Sequence, residues 1–204
     1  MGVSLTKGQG VSLRKEENDL DEVVIGLGWD VAKPKGGLLS MFAKKPPDYD
    51  LDAIAVLLDA NGKMRVPRLQ NGDVVFYNNL NHPSGCVRLT GDNRTGAGDG
   101  DDEQIIVKLN ALPPEYHKIV FLVAIYDGRA NNQSFGEVDN AFIRALDRRG
   151  RELARFDISG FGARQPYRSM YFAEVVREGS GWKFNAIGQP HLSDKFVDLI
   201  QQYV

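Results

Sequence analysis

Cysteine is almost missing from this 204-residue chain, where Cys86 stands alone. That excludes an intrachain disulfide and a cysteine-based zinc cluster. Histidine is scarce too, and His82, His117 and His191 are isolated from one another in sequence, so each reads as a surface or hydrogen-bonded structural residue. No Gly-x-Ser-x-Gly elbow, Walker A loop or His-Glu-x-x-His pattern occurs, which removes support for the standard hydrolase, NTPase and zinc-protease readings. Gly26-Leu27-Gly28 follows an apolar run but lacks a third glycine, and Pro34 to Gly37 forbids the helix a dinucleotide site requires. No apolar stretch approaches the ~20 residues that span a bilayer, and the N-terminal region has neither the basic nor the apolar part of a signal peptide. The expectation is a cytoplasmic protein without a transmembrane segment. A net charge of -2, from 25 basic and 27 acidic residues, gives no overall field to attract nucleic acid.

What is present is an ordinary globular composition, 42% hydrophobic and 25% charged, at a length suited to one domain over residues 1–204. Short apolar runs alternate with turn residues: Val23 to Gly28, Ala53 to Leu58, Val74 to Tyr77, Cys86 to Leu89, Ile105 to Leu109, Ile119 to Tyr126, Phe142 to Leu146, Leu153 to Ile158, Tyr171 to Val176 and Trp182 to Ile187. This rhythm predicts an all-β fold, a two-sheet antiparallel β-sandwich with long loops. Ile119 to Ile125 is apolar on both faces and should be a central strand, while Val3, Leu5, Val11 and Leu13 read as strand residues around a turn. Phe196, Leu199, Ile200 and Tyr203 follow helical spacing after Ser193, predicting a C-terminal amphipathic helix with Ser193 as its N-cap. Residues 33–48 are rich in Lys, Gly and Pro and read as an inserted surface loop. Its Gly37-Leu38-Leu39-Ser40-Met41-Phe42 tip, flanked by lysines, either suits contact with an anionic membrane or a partner or folds back to cover the sandwich. Arg144, Arg148, Arg149, Arg151 and Arg155 surround Gly150, and a solvated hairpin explains them better than an anion site.

The most informative segment runs from Gly91 to Glu103 and packs Asp92, Asp99, Asp101, Asp102 and Glu103 among glycines, opposed by Arg94. Two carboxylates about 4 Å apart repel by roughly 4 kcal/mol at the effective dielectric of a protein surface, so an ordered loop here asks for a hard cation. Asp92 to Glu103 matches the span of an EF-hand loop, yet Arg94, Gly96 and Ala97 stand where that pattern needs Asp or Asn and then Gly, and the flanks read as strands. The segment is better described as an inter-strand ion site at one end of a sandwich. Asp50 and Asp52 project from one face of a strand entry, and Asn78 and Asn79 add amide oxygens. Oxygen donors without histidine or thiolate favour calcium or magnesium, and flexible carbonyl-rich loops favour calcium.

Gly91-Asp92-Asn93-Arg94-Thr95-Gly96 and Gly98-Asp99-Gly100-Asp101-Asp102-Glu103 resemble segments of the TerD family of tellurium-resistance and bacterial stress proteins. So do Gly26-Leu27-Gly28-Trp29-Asp30, Asp50-Leu51-Asp52-Ala53, Phe76-Tyr77-Asn78-Asn79 and Gln133-Ser134-Phe135-Gly136, and the likeness runs nearly end to end. The resemblance implies a calcium-binding β-sandwich linked to tellurite, phage and general stress resistance, with no established catalytic activity. Resemblance and residue chemistry together nominate Asp50, Asp52, Asp92, Asp101, Asp102 and Glu103 as metal ligands. Asn78, Asn93, Asp30, Asp99 and the carbonyls of Thr95 and Gly98 stand behind them. Since Ca²⁺ takes six to eight oxygens, this donor set suits two adjacent Ca²⁺ ions. The expected partners are other stress or tellurite-resistance proteins, including any at the inner face of the membrane. A metal-dependent phosphoesterase-like enzyme and a Ca²⁺-dependent membrane-docking module are the alternatives, but no nucleophile or base is identifiable for the first.

Overall fold

A computed structural model describes residues 2–13, 20–31, 49–90, 101–157 and 166–204. The 33–48 loop therefore lies outside the described residues. Twelve strands are described: β1 (Val3–Leu5), β2 (Gly10–Leu13), β3 (Val23–Val31), β4 (Leu51–Leu58), β5 (Val74–Val75), β6 (Val87–Leu89), β7 (Glu103–Val107), β8 (Lys118–Ile125), β9 (Val138–Asp147), β10 (Glu152–Asp157), β11 (Ser169–Glu178) and β12 (Gly181–His191). They form two six-stranded sheets, ordered β1-β10-β9-β3-β7-β6 and β2-β12-β11-β8-β4-β5. Every described pairing is antiparallel except β1 with β10, where Val3 faces Ala154 and Leu5 faces Phe156. The expected all-β sandwich is what the chain forms, and each of the ten apolar runs contributes a strand.

Alternation decides which side chains fill the sandwich. Val23, Ile25, Leu27 and Trp29 of β3 point inward, opposite Ala53, Ala55 and Leu57 of β4. The other face of β4, Ile54, Val56 and Leu58, joins a second apolar layer under the C-terminus with Val120, Leu122, Phe196, Leu199 and Ile200. β8 contributes to both layers, with Ile119, Phe121, Val123 and Ile125 facing in and Val120, Leu122 and Ala124 facing out. That is why its sequence is apolar at every position.

The C-terminal helix is shorter than its pattern suggests. α1 (Phe196–Ile200) passes into a 3₁₀ turn over Gln201–Tyr203, and its cap is Lys195, with no side-chain cap bond. Ser193 is not the N-cap. Its hydroxyl instead accepts the Lys195 N–H at 3.1 Å and meets the Asp198 carboxylate, bracing the approach to the helix. The tail is tied down by the Tyr171 hydroxyl, which donates to the Leu199 carbonyl, and by the Met64 N–H, which donates to the Tyr203 carbonyl; both distances are 2.7 Å.

A buried polar network fastens the connection between β5 and β6. Asp73, 1% exposed, accepts the Val66 N–H at 2.6 Å, the Tyr116 hydroxyl at 2.8 Å and the His82 Nε2 at 3.2 Å. His82 Nδ1 in turn accepts the Ser84 N–H at 3.1 Å, which fixes the proton on Nε2. Burial alone would raise the Asp73 carboxyl, but the bonds from His82, Val66 and Tyr116 outweigh it and hold the group below its ordinary value.

Asp73→Ala strands three buried donors and is expected to cost about 3 kcal/mol in urea denaturation. Because the folded carboxyl is the more acidic form, its contribution is present above the unfolded value of about 3.9 and is lost as pH falls through the folded one. The acid limb of the stability profile should therefore be shallower in Asp73→Asn than in the parent.

Candidate metal centre

Three consecutive acids at the start of β7 take three directions. Glu103 points into the sandwich, where it is 2% exposed, and its Oε2 accepts the N–H of Ala53 on β4. This joins the two sheets. Asp102 clips the end of β3: its N–H donates to the Leu27 carbonyl at 2.8 Å and its Oδ2 accepts the Trp29 N–H at 3.0 Å. Asp101 folds over the outer face of the first sheet, above Gly26, where an added Cβ would overlap its carboxylate. There its Oδ1 accepts Arg144 Nε at 2.7 Å and its Oδ2 accepts Gln104 Nε2 at 3.3 Å. Gly26, Arg144 and Gln104 occupy one row across β3, β9 and β7, so the sheet itself places the cation beneath Asp101.

Asp30, near the end of β3, is exposed and accepts Asn140 Nδ2 at 2.7 Å. The Asp102 carboxyl lies above its ordinary value: burial is the main cause, the Trp29 N–H opposes it, and the negative charges of Asp30 and Asp101 add to it. Asp30, Asp101 and Asp102 thus form a first acidic group on the β3–β7 side.

A second group lies on the other sheet. Asp52 is 6% exposed and shares the outward face of β4 with Ile54, beside Ala124 of β8. With Tyr77, Asn78 and Asp127 it lines a cleft of about 530 Å³. Asp50 belongs to the same neighbourhood. Burial raises the Tyr77 hydroxyl, and Asp52, Tyr126, Asp127 and Asp50 push it the same way.

The expected single convergence of oxygen donors thus resolves into two groups. Asp30, Asp101 and Asp102 stand together, as do Asp50, Asp52 and Asn78, with Glu103 reaching from the first sheet to the peptide that joins Asp52 to Ala53. Asp92, Asn93 and Asp99, with Arg94 and the Thr95 and Gly98 carbonyls, lie outside the described residues. Among the described residues no three His, Cys, Asp or Glu side chains are close enough to hold an ion by themselves.

Two contributors escaped sequence reasoning. Arg144 is not simply a hairpin cation but the partner of buried Asp101, 43 residues away in sequence. Asp127 follows β8 in a turn at positive φ, and only the β4–β8 register, with Asp52 opposite Ala124, brings it near Asp52. Of the other hairpin arginines, Arg151 pairs with the buried Asp147 at 3.1 Å and Arg155 with the exposed Asp157 at 3.0 Å. The donor chemistry at both groups is all oxygen, the kind that fits a hard cation rather than a soft one. No helix among the described residues is long and apolar enough to cross a membrane.

The TerD domain model matches residues 1–203 of this chain. Tellurium resistance protein TerX of Serratia marcescens is 56% identical over 213 aligned positions, covering 100% of both chains. General stress protein 16U of Bacillus subtilis (strain 168) is 42% identical, over 92% of this chain and 90% of its own. The crystal structure of a homologue of telluride resistance protein (TerD) from Streptomyces coelicolor A3(2) superimposes with a TM-score of 0.64 at 24% identity, over 90% of this chain and 98% of the other, and so supports the fold. Two packed sheets, the acidic entry to β7 and a match over almost the whole length place this chain in the TerD domain family of tellurium-resistance and stress-response proteins.

Proposed function

We propose that this chain is a non-enzymatic, cytoplasmic calcium-binding protein of tellurite and stress resistance, in which bound Ca²⁺ orders one end of the sandwich for recognition by a partner protein. The observation that carries the reading is the gathering of Asp30, Asp101 and Asp102 at the β3–β7 end, where burial first and then the charges of Asp30 and Asp101 raise the Asp102 carboxyl. A divalent cation relieves that repulsion, and oxygen-only donors select Ca²⁺ or Mg²⁺ over softer metals. One ion would be held by Asp30 and Asp102, with Asp101 beside them. A second would be held by Asp50 and Asp52, with Asn78 and Glu103 close to that group. Asp92, Asn93 and Asp99 would complete these shells, which suits the six to eight oxygens Ca²⁺ takes. Among the described residues no nucleophile and general base stand together at either group, which favours a binding role over phosphoester hydrolysis. The partners in this reading are other stress and tellurite-resistance proteins, including any held at the inner face of the membrane, a choice that family membership supports.

Melting curves in EDTA, Mg²⁺ and Ca²⁺ test the ion. At a concentration about a thousandfold above Kd, binding stabilises the native state by roughly 4 kcal/mol, so a Ca²⁺-specific rise in Tm is expected and its absence would refute the proposal. Asp92→Asn should abolish that rise.

Asp102→Asn should reverse sign with conditions. Because its folded carboxyl is raised, ionised Asp102 weakens the metal-free fold at neutral pH, and stability returns as pH falls through the raised value toward the unfolded one. In EDTA the variant is therefore expected to melt no lower than the parent, and in Ca²⁺ to lose most of the rise. Lower stability in EDTA would count against Asp102 as the repelled ligand.

Gly26→Ala should drive Asp101 off Arg144 and cost about 1–2 kcal/mol equally in EDTA and Ca²⁺. A loss confined to Ca²⁺ would make Asp101 primarily a metal ligand rather than a sheet anchor.

A further inference from the structure

The second acidic group opens into a cleft whose aromatic walls have no evident part in holding a metal ion. Phe76 and Phe196 are buried at its base, with ring centroids 5.2 Å apart. Tyr77 stands edge-on to Phe76 at 79°, and Tyr126 stands edge-on to Tyr77 at 87° with centroids 5.9 Å apart. The two tyrosines thus make perpendicular walls, one of them reaching solvent, since Tyr126 is 46% exposed. Among the described residues that line the cleft, Asp52, Asp127 and Asp194 are anionic and Lys195 is the only cation. Asp194 is held in place through its Oδ2, which accepts the Arg129 N–H at 2.8 Å.

Aromatic faces attract cations within about 6 Å of the ring centroid, through the negative face of the ring quadrupole. A metal ion that sheds its water needs oxygens in its first shell, which rings cannot provide. An organic ammonium binds through its methylene or methyl groups to the rings while its charge is balanced by nearby carboxylates. The volume of about 530 Å³ lies in the range of small-ligand sites. The floor gives an apolar stem somewhere to lie, and the net negative lining sets the sign of the ligand.

We propose that the cleft between the turn after β5, the end of β8 and α1 is a binding site for an organic ammonium group carried on a short apolar stem. Tyr77 and Tyr126 form the cation-binding walls, Phe76 and Phe196 receive the stem, and Asp127 with Asp52 supplies the counter-charge. The proposal is separate from calcium binding, although Asp52 borders both sites.

The test is a titration of the full chain in EDTA, so that its outcome does not depend on whether the acidic end takes Ca²⁺. The probes are choline, n-butylammonium and the neutral choline isostere 3,3-dimethyl-1-butanol, with NMR shifts of the Tyr77, Tyr126 and Phe196 rings as readout. Both cations are expected to shift these resonances saturably with Kd of about 1 mM or tighter, and the neutral isostere to bind at least about tenfold more weakly. Tyr126→Ala and Asp127→Asn, both at exposed positions where folding is least at risk, should each weaken choline by about fivefold. Equal binding of the neutral isostere would reduce the cleft to an apolar groove and overturn the assignment. So would the absence of a saturable shift, or cation binding that both variants leave unchanged.

Discussion

β5 is only two residues long, and the consequence falls on the amide of Ala53. Along β4, amides alternate between the β8 side and the β5 side; Leu57 donates to the Asp73 carbonyl across β5, so the Ala53 amide points the same way, beyond the end of that strand. A buried amide left unsatisfied costs about 1–3 kcal/mol, and a carboxylate is a stronger acceptor than a carbonyl. Glu103 meets the need from the opposite sheet. Its position is then fixed, and so is the entry of the chain into β7. Regular extended backbone would send Asp101 and Glu103 to one face and Asp102 to the other. The chain instead bends before β7, and the three acids separate onto the outer face, the β3 end and the interior.

Their electrostatic fates differ for the same reason. Asp101 finds Arg144 under it because Gly26 leaves the space, and Glu103 finds an amide. Asp102 accepts the Trp29 N–H but keeps Asp30 and Asp101 as neighbours, and burial first, then those charges, raise its carboxyl. The acidic entry to β7 is thus a mixture of settled and unsettled charge. Asp101 meets Arg144 and one oxygen of Glu103 meets the Ala53 N–H, while Asp102 stands beside the charges of Asp30 and Asp101, where an added cation would relieve the most repulsion.

The fold was legible in the sequence because each strand carries its own evidence. Alternation along β4 and the doubly apolar β8 report which faces are buried, and burial is what the sheets then satisfy. The site was legible only in composition. Asp50, Asp52, Asp101 and Asp102 read as one convergent cluster because spacing along the chain does not say which sheet a strand joins. β3 and β7 pair in one sheet while β4 and β8 pair in the other, and that assignment splits the acids. The Arg144 partnership is invisible for a related reason: it depends on the register of β9 against β3, whereas a charge run around Gly150 reports only a hairpin. Ser193 misled because a serine before a helical pattern also braces turns, and here it binds Lys195 and Asp198 two residues outside the cap.

The second acidic group and the aromatic cleft are built from one ladder. Asp52 lies opposite Ala124, and the strand that carries Ala124 continues directly into Tyr126 and Asp127. Charge placed on one side of this ladder is therefore felt on the other. A Ca²⁺ ion held by Asp50 and Asp52 would cancel part of the negative potential that draws an ammonium group to Tyr77 and Tyr126, so the two ligands would oppose each other. By linkage the antagonism is reciprocal: an ammonium in the cleft lowers the affinity of that ion by the same factor that the ion lowers its own. The Asp30 and Asp102 group, on the other sheet, carries no residue of the cleft and escapes most of this coupling. With two ions bound as proposed, the sandwich would stay ordered through the one at Asp30 and Asp102 while the one at Asp50 and Asp52 gave way to a cationic ligand.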